Sequence, residues 1–211
     1  MAKNGEVTYR DFKEEDIPEL ALLLADIWNP TLEGEPALVA GKVDLAHFAV
    51  RATHCRVAEL NGEVVGVAAV RVGNPKEEDV NFWSEISCEA FEKLKEISPE
   101  AELELRGYYD FEEKAHTQML ANCDCDTTFE LTLFAVSSKA RGHGVGSELL
   151  SQMINHLKEA GADNYFLYTD TNCNWQYYEN RGMKRCAKYV AENEPHERLN
   201  GQELYIYSTS I

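Results

Sequence analysis

The spacing of apolar residues along the first third of the chain predicts a strand, two helices and a β-hairpin. The predicted elements are a strand at residues 6–10, a helix that begins after Asp16, a helix at 38–51, and strands at 56–60 and 64–72. Asp16 and Glu19 have the spacing of a capping box, so the Asp16 side chain is expected to cap the first helix. Asn61-Gly62, between the two strands, is typical of a two-residue hairpin turn.

The chain from Phe129 onward predicts strands and helices around one central strand. Phe129–Val136 is the clearest candidate for that strand, and a glycine-rich loop at 137–146 follows it. The next helix has one apolar face, formed by Val145, Leu149, Leu150, Met153, Ile154 and Leu157. Further predicted elements are a strand at 165–169, a short helix at 174–181 that Gly182 stops, and strands at 183–190 and 203–207. The fold class is therefore α/β (α+β).

Residues 76–128 differ from the rest of the chain in being polar and acidic. They hold 15 Asp and Glu against 5 Lys and Arg, and so account for 10 of the 17 excess negative charges. We expect one helix there, at 85–97. The segment has too few aliphatic residues to build a core of its own. It is therefore predicted to be an insertion, at about 74–128, in a single domain that covers residues 1–211.

The net charge of -17 argues against nucleic acid as a partner, because nucleic-acid binding needs a basic face. The same charge favours a cationic acceptor or peptide. No stretch approaches the roughly 18 consecutive apolar residues of a membrane span. The first ten residues lack the apolar run of a secretory signal. We therefore expect a cytoplasmic protein without a membrane partner.

Cys123 and Cys125 form the one cysteine cluster in the sequence, with His116 nearby. A zinc site normally shows two spaced pairs of Cys or His ligands, and the second pair is missing here. No metal is therefore predicted, and the two cysteines are interpreted as free thiols in an acidic loop.

Residues 141–146, Arg-Gly-His-Gly-Val-Gly, have the composition of an anion-binding loop. Glycines let the backbone approach a ligand closely, and the start of the following helix offers free N–H groups and the positive end of its dipole. A Walker A loop is excluded, because Gly146 is followed by Ser147 and not by lysine. A dinucleotide fingerprint fits poorly, because its third glycine position falls on Ser147 and the strand ends five residues before the loop.

The loop resembles the acetyl-CoA-binding motif of the GNAT superfamily of N-acetyltransferases, Arg/Gln-x-x-Gly-x-Gly/Ala, through Arg141, Gly144 and Gly146. The strand before it ends in Phe134-Ala135-Val136, as in that family. A second motif, Asn-x-x-Phe/Tyr-Tyr followed after three residues by Gly-Phe, is matched from Asn174 through Tyr177-Tyr178 to Gly182-Met183. Met183 replaces the usual Phe, which keeps the apolar bulk.

The resemblance implies a mixed, mostly antiparallel sheet flanked by helices, with two splayed central strands that hold the pantetheine of acetyl-CoA. The backbone of Phe134, Ala135 and Val136 would bond the pantetheine amides. Asn174 would face the cofactor arm, with Asn172 as an alternative. The pyrophosphate would be held by the loop residues Arg141, Gly142, His143, Gly144, Val145, Gly146 and Ser147.

Tyr178 is the candidate general acid for the leaving CoA thiolate, since a phenol is protonated at neutral pH. Alternatively, Tyr178 is a tyrosine that only packs in the core, which is the role expected of Tyr177. Glu130 is the candidate general base for the amine, on one face with Thr132 and Phe134. Its alternative is an ordinary polar residue of the strand. His116, Tyr108 and Tyr109 are candidates for the acceptor pocket.

The implied activity is direct transfer of an acetyl group from acetyl-CoA to an amine, of a small molecule or of a peptide. A second hypothesis is a sensor of the same fold that binds acyl-CoA without turnover, although a sensor needs no general acid. A third is an unrelated nucleotide-binding or interaction domain. The identity of the amine stays open, as does the oligomeric state, a homodimer included.

Overall fold

A computed structural model describes residues 6–192, 194 and 199–211, and these form a seven-stranded sheet flanked by helices. The strands are β1 (Val7–Asp11), β2 (His54–Leu60), β3 (Glu63–Val72), β4 (Phe129–Val136), β5 (Asn164–Asp170), β6 (Lys184–Val190) and β7 (Glu203–Ser210). The helices are α1 (Ile17–Trp28), α2 (Gly34–Ala49), α3 (Glu77–Ile97), α4 (Pro99–Ala121), α5 (Val145–Glu159) and α6 (Gln176–Glu179). Short 3-10 turns lie at Glu14–Asp16 and Ser138–Ala140.

The sheet order is β1-β2-β3-β4-β5-β7-β6. Only β4 and β5 pair in parallel among the described strands, and the other neighbours are antiparallel. The predicted mostly antiparallel sheet flanked by helices is therefore confirmed. The hairpin is confirmed as well, because Asn61 and Gly62 both have positive φ, at 55° and 87°, as a type I′ turn requires.

Helices cover both faces of the sheet. On one face, α5 buries Leu149, Met153 and Leu157 against β3, β5 and β7. On the other face, α1 and α2 bury their leucines and alanines against β2, β3 and β4. The two helices pack so closely that a Cβ at Gly41 would lie 1.8 Å from the carbonyl oxygen of Ala21. Position 41 therefore accepts only glycine unless α1 and α2 separate.

The predicted capping box at the start of α1 is wrong. Asp16 occupies the N-cap position, but its side chain makes no capping bond to the helix. Instead its carboxylate accepts two hydrogen bonds from Arg10, both at 2.7 Å, and one from the backbone N–H of Lys13. Glu19 accepts from the backbone N–H of Val64 on β3. A bidentate guanidinium is a stronger partner for a carboxylate than a backbone amide, so the tertiary contact prevails.

The acidic segment contains two helices, α3 and α4, and not the single helix predicted at 85–97. Their apolar positions are few but meet on α2, where Val39, Ala40 and Val43 contact Ala90 and Leu94 of α3 and Ala101 and Leu105 of α4. These two helices are the longest of the described chain. No described helix combines the length and the apolar character that are needed to span a bilayer.

Helix α4 continues along the sheet face that α1 and α2 begin to cover. Its residues Phe111, Ala115 and Met119 pack against Phe166 of β5 and Ile206 of β7. The neighbouring residues of these strands point to the opposite face, toward α5. The acidic segment therefore covers the half of this face that α1 and α2 leave open, and it comes to lie beside the boundary between β4 and β5.

Asp44 of α2 is a buried carboxyl group that joins three helical segments. It accepts a hydrogen bond from the Asn29 amide after α1, at 2.7 Å, and another from the Tyr109 hydroxyl of α4. Its side chain is almost fully inaccessible to water. Burial raises the pKa of Asp44 to about 7, although the two hydrogen bonds oppose this rise.

We predict that Asp44→Asn removes a pH dependence of stability. Between pH ~4 and ~7 the unfolded carboxyl group is ionised while folded Asp44 keeps its proton, so the folded state binds more protons. The free energy of unfolding of the wild type should therefore fall as pH rises through this window, relative to the variant, by up to a few kcal/mol at about 1.4 kcal/mol per pKa unit. Urea denaturation at pH 5 and pH 8 measures the difference. Asp26→Asn, at an exposed position of α1, is the matched control. An Asp44→Asn protein with the pH slope of the wild type would contradict this account.

Candidate active site

The central parallel strands β4 and β5 separate almost as soon as they meet. They pair at one position, Glu130 opposite Phe166, and the ladder does not continue toward their C-terminal ends. On its other side, Phe134–Val136 is paired with residues 66–68 of β3. The edge of this segment that faces β5 has no strand partner among the described residues. The splayed central strands predicted from the sequence are thus present, and they leave backbone amides and carbonyls for a ligand to pair with.

The glycine-rich loop lies next to this opening. Gly142 and Gly144 have positive φ, at 80° and 72°, and Gly144 is the N-cap of α5. The side chains of Arg141 and His143 are exposed, and His143 Nδ1 lies 3.1 Å from the Arg141 carbonyl oxygen. In the first turn of α5, the N–H groups of Val145, Gly146 and Ser147 have no acceptor within the helix. The loop therefore has the geometry of a phosphate-binding helix start.

Gly146 connects the loop to the strand. A Cβ built at Gly146 would lie 3.4 Å from the Phe134 ring, so the ring packs directly on the first turn of α5. Phe134 in turn contacts Tyr177, with ring centroids 5.7 Å apart. The loop, the open strand edge and the Tyr-Tyr segment are thus adjacent in space, although they come from three separate parts of the chain.

Arg181 is a candidate phosphate ligand that the sequence reasoning missed. Its guanidinium lies 4.0 Å from the centroid of the Tyr177 ring and donates to the Ser147 hydroxyl at 3.0 Å. It therefore adds a positive charge at the start of α5, in a chain with a large negative excess. The signal was present in the sequence, because Arg181 directly precedes the glycine of the second motif.

Tyr178 lies on α6, beyond a turn that Asp170 organises. The Asp170 carboxylate accepts from the backbone N–H groups of Asn172 and Cys173, at 2.7 and 3.0 Å. Asn174 is exposed on the same turn. The Tyr178 ring packs edge-on against Tyr177, with centroids 5.5 Å apart. Burial raises the pKa of Tyr178 well above the ordinary value of a phenol, so at neutral pH its hydroxyl is protonated and able to donate.

Glu130 is buried, with 3% of its surface exposed, and is held by two arginines. Its Oε1 accepts from Arg51 Nε at 2.9 Å and its Oε2 accepts from Arg71 Nε at 3.1 Å. Each carboxylate oxygen keeps a further lone pair. Proton transfer to Glu130 would use one of these, in a site where both oxygens already have a cationic partner.

A bulge in β4 separates Glu130 from Phe134. Leu133 pairs with Ala69 and Leu131 with Val70, so Thr132 is the extra residue. Leu131 accordingly packs on the α5 side, whereas Leu133 packs on the α1 and α2 side. The prediction that Glu130, Thr132 and Phe134 share one face is wrong, because strict alternation fails at the bulge. Phe134 faces α5, and Glu130 faces the arginine that follows α2.

A cavity of about 330 Å³ opens on the Glu130 side, between α2 and α4. It is lined in part by His47, Arg51, Tyr109, Glu112 and His116. Of the three predicted pocket residues, His116 and Tyr109 reach this wall. Tyr108 instead donates to Asp170, at 2.8 Å.

His116 and Glu112 set the polarity of the cavity wall. The His116 ring stacks on Tyr168 of β5, with centroids 3.7 Å apart, so the cavity adjoins the strand opening. Burial lowers the pKa of His116 to about 4, which leaves the imidazole neutral at pH 7. Burial by itself would raise the pKa of Glu112, but the hydrogen bond from His47 Nε2, at 2.8 Å, and the nearby charge of Arg51 oppose this, and the pKa of Glu112 is lowered. The wall therefore offers an ionised carboxylate beside neutral and aromatic groups.

Solved structures with the same fold include acetyltransferases. The IAA acetyltransferase from Bacillus cereus has 17% identity and a TM-score of 0.52, with 98% of this chain and 100% of that chain covered. The ribosomal-protein-S18-alanine N-acetyltransferase from Escherichia coli has 12% identity and a TM-score of 0.53, with coverages of 98% and 94%. A GNAT family acetyltransferase from Elizabethkingia anophelis, solved with acetyl-CoA bound, has 14% identity, a TM-score of 0.50 and coverages of 99% and 99%.

A search of curated proteins found no match to this chain. At these sequence identities, the structural similarity shows only that the fold is shared. The sequence itself matches a family model, that of the acetyltransferase (GNAT) family, over residues 20–183. That range includes the open strand edge, the glycine-rich loop and the Tyr-Tyr segment. This chain therefore belongs to the GNAT family of acetyltransferases.

Proposed function

We propose that this chain is an N-acetyltransferase that moves an acetyl group directly from acetyl-CoA to an amine. One observation carries the proposal: the unpaired edge of Phe134–Val136 lies beside the free N–H groups at the start of α5. A strand edge pairs with amides as another strand would, which suits pantetheine. A helix start suits the pyrophosphate. The residues therefore fit acetyl-CoA, whose thioester supplies the activated acetyl group.

In this proposal Tyr178 protonates the CoA sulfur as the thioester bond breaks. A phenol is suited to that role because it carries its proton at neutral pH, and burial keeps Tyr178 in that protonated form. Tyr178 is connected to the cofactor groove through Tyr177 and Phe134, whose rings are in contact. The second member of the pair, Tyr177, packs between Phe134 and Arg181.

The amine enters from the other face of the sheet, through the cavity between α2 and α4. An alkylammonium must lose a proton before it attacks, which costs about 3.4 pKa units at pH 7, or roughly 4 to 5 kcal/mol. Glu130 lies on this side, and we propose that it takes the proton through water, because both of its oxygens are already bonded to arginines. The proton donor and the proton acceptor then approach the acetyl group from opposite faces.

The charges of the cavity favour a cationic acceptor. Its described lining includes three carboxyl residues, Asp110, Glu112 and Glu113, against one arginine, Arg51, which is paired with Glu130. The lowered pKa of Glu112 keeps that carboxylate ionised at neutral pH. An amine that is protonated in solution would thus be attracted to the cavity before it is deprotonated for attack.

The glycine loop is tested by Gly144→Val. Valine is strongly disfavoured at positive φ, so the loop should leave its conformation and its N–H groups should turn away from the phosphates. Acetyl-CoA should raise the Tm of the wild type but not that of the variant. Gly161→Val is the matched control, since Gly161 has φ 87° at the other end of α5 and also faces open space. An equal acetyl-CoA shift in Gly144→Val and Gly161→Val would contradict the loop assignment.

The general acid is tested by Tyr178→Phe, with an amine panel and detection of released CoA thiol. Phenylalanine keeps the ring but removes the proton donor, so kcat should fall about 100- to 10,000-fold. The Kd of acetyl-CoA should change little, because the loop is untouched. Tyr177→Phe is the control and should keep most of kcat. Full kcat in Tyr178→Phe, with chemistry rate-limiting, would overturn the mechanism. A wild type that binds acetyl-CoA and releases no thiol with any amine would instead indicate a sensor.

The base is tested by the pH profile of Glu130→Gln. If Glu130 accepts the amine proton, activity should drop at neutral pH and recover partly at high pH, where the amine deprotonates unaided. Glu102→Gln is the matched control, because Glu102 is also buried and paired with an arginine, Arg106, but lies away from the opening. Thermal melting must show that both variants are folded at the assay temperature, since removing one partner of a buried ion pair lowers the free energy of unfolding by about 3–5 kcal/mol. An unchanged profile in Glu130→Gln would leave Glu130 a purely structural role.

A further inference from the structure

Three cysteine thiols from two distant parts of the chain meet on the surface of the sheet. Cys123 and Cys125 follow the C-terminal end of α4, and Cys186 lies on β6. Their Sγ atoms are all within 4.8 Å of one another, and those of Cys123 and Cys125 are 2.9 Å apart. All three residues are half-buried. The sequence shows no second pair of zinc ligands after Cys123 and Cys125. The structure instead brings one further cysteine, Cys186, to them from a strand about 60 residues later.

Cys186 reaches the other two because β6 is bulged at that position. Arg185 pairs with Tyr207 and Ala187 with Ile206, so Cys186 has no partner on β7 and is the extra residue. A bulge redirects the side chain of its extra residue and is a common device next to functional sites. Here it brings the Cys186 thiol to the loop after α4, on the strand at the edge of the sheet.

The loop that carries Cys123 and Cys125 is fixed by several hydrogen bonds. The Asp126 carboxylate accepts from the backbone N–H and the hydroxyl of Thr128, at 2.9 and 2.6 Å. The guanidinium of Arg71 donates to the carbonyl oxygens of Thr127 and Thr128. These bonds fix the chain directly after Cys125, so ligand binding would cost little conformational entropy in that part of the loop.

We propose that Cys123, Cys125 and Cys186 bind one Zn²⁺ ion through their thiolates. A Zn–S distance of about 2.3 Å in tetrahedral geometry places the sulfurs about 3.8 Å apart. The Cys123–Cys125 separation, 2.9 Å, is below that value and the other two separations are within 4.8 Å, so side-chain movements on the order of 1 Å complete the site. No fourth Cys, His, Asp or Glu of the described chain lies at the same mutual distance.

The chemistry of the site is coordination without oxidation. Zn²⁺ displaces the three thiol protons to solvent and receives three S⁻ ligands. The apolar neighbours of the cluster, which include Met119 and Phe166, limit the access of water to the metal.

A zinc ion here would fasten the acidic segment to the edge of the sheet. It would link the end of α4, which carries the wall of the acceptor cavity, to β6. The site lies outside the acetyl-CoA groove, and the proposal stands independently of the proposed acetyl transfer. Loss of zinc binding would leave the enzymatic hypothesis intact, and loss of activity would leave the zinc hypothesis intact.

The test uses the full untagged chain, kept reduced with a phosphine, and measures bound zinc after dialysis together with Zn²⁺ affinity by chelator competition. We expect one equivalent of zinc and a higher Tm with Zn²⁺ than with chelator. Cys186→Ser should weaken Zn²⁺ binding by at least about 10-fold, since loss of a ligand costs no less than loss of an outer partner. Cys88→Ser, at an exposed position of α3, is the matched control and should bind as the wild type does.

Cobalt substitution gives a second readout that reports the ligands directly. Co²⁺ bound by three thiolates should show an intense thiolate-to-metal charge-transfer band, which Cys186→Ser should reduce and Cys88→Ser should keep. The proposal is overturned if the reduced protein binds no stoichiometric zinc. It is equally overturned if Cys186→Ser binds zinc as tightly as the wild type, or if Cys123 and Cys125 are found only as a disulfide that no phosphine opens.

Discussion

The separation of β4 and β5 is the constraint on which the candidate site depends. Two adjacent parallel strands would ordinarily satisfy each other's backbone groups along their whole length. Here they pair at Glu130 and Phe166 alone, and the edge of Phe134–Val136 is left for a ligand. The bulge at Thr132 belongs to the same feature, because it turns Phe134 toward α5 and leaves Glu130 on the other face. The opening therefore connects a groove for an anionic cofactor with a cavity for an amine.

The contact between the acidic segment and α2 is built around buried carboxyl groups that each have a specific partner. Asp44 is bonded to Asn29 and Tyr109, and Glu112 to His47. Such groups are costly to bury without partners, so they specify how α4 sits on α2 more strictly than its few apolar contacts could. The position of α4 in turn decides which side chains face the opening between β4 and β5. Polar pairing thus shapes the acceptor cavity, whereas apolar packing shapes the sheet.

Several misreadings of the sequence have a common physical origin in contacts between distant residues. The capping box at Asp16 fails because Arg10 offers a better partner. The sequence does not predict helix α4 because its buried apolar positions are few, although Ala101 and Leu105, and likewise Ala115 and Met119, lie four residues apart. Its burial comes from α2 and β5, which a local pattern does not reveal. The third cysteine of the thiol cluster, Cys186, was invisible for the same reason.

The sequence by itself determined the central strand, the glycine loop, the amphipathic helix after it and the Tyr-Tyr segment. These depend on local rules: alternation along a strand, a 3.6-residue period, and the freedom of glycine at positive φ. Only the tertiary structure decided which face each side chain occupies beyond the β4 bulge. It also decided that Glu130 is held by Arg51 and Arg71, that Arg181 meets Ser147, and that three thiols converge. Register shifts and pairings between residues far apart in sequence follow from how whole elements pack, and no local window of the chain contains that information.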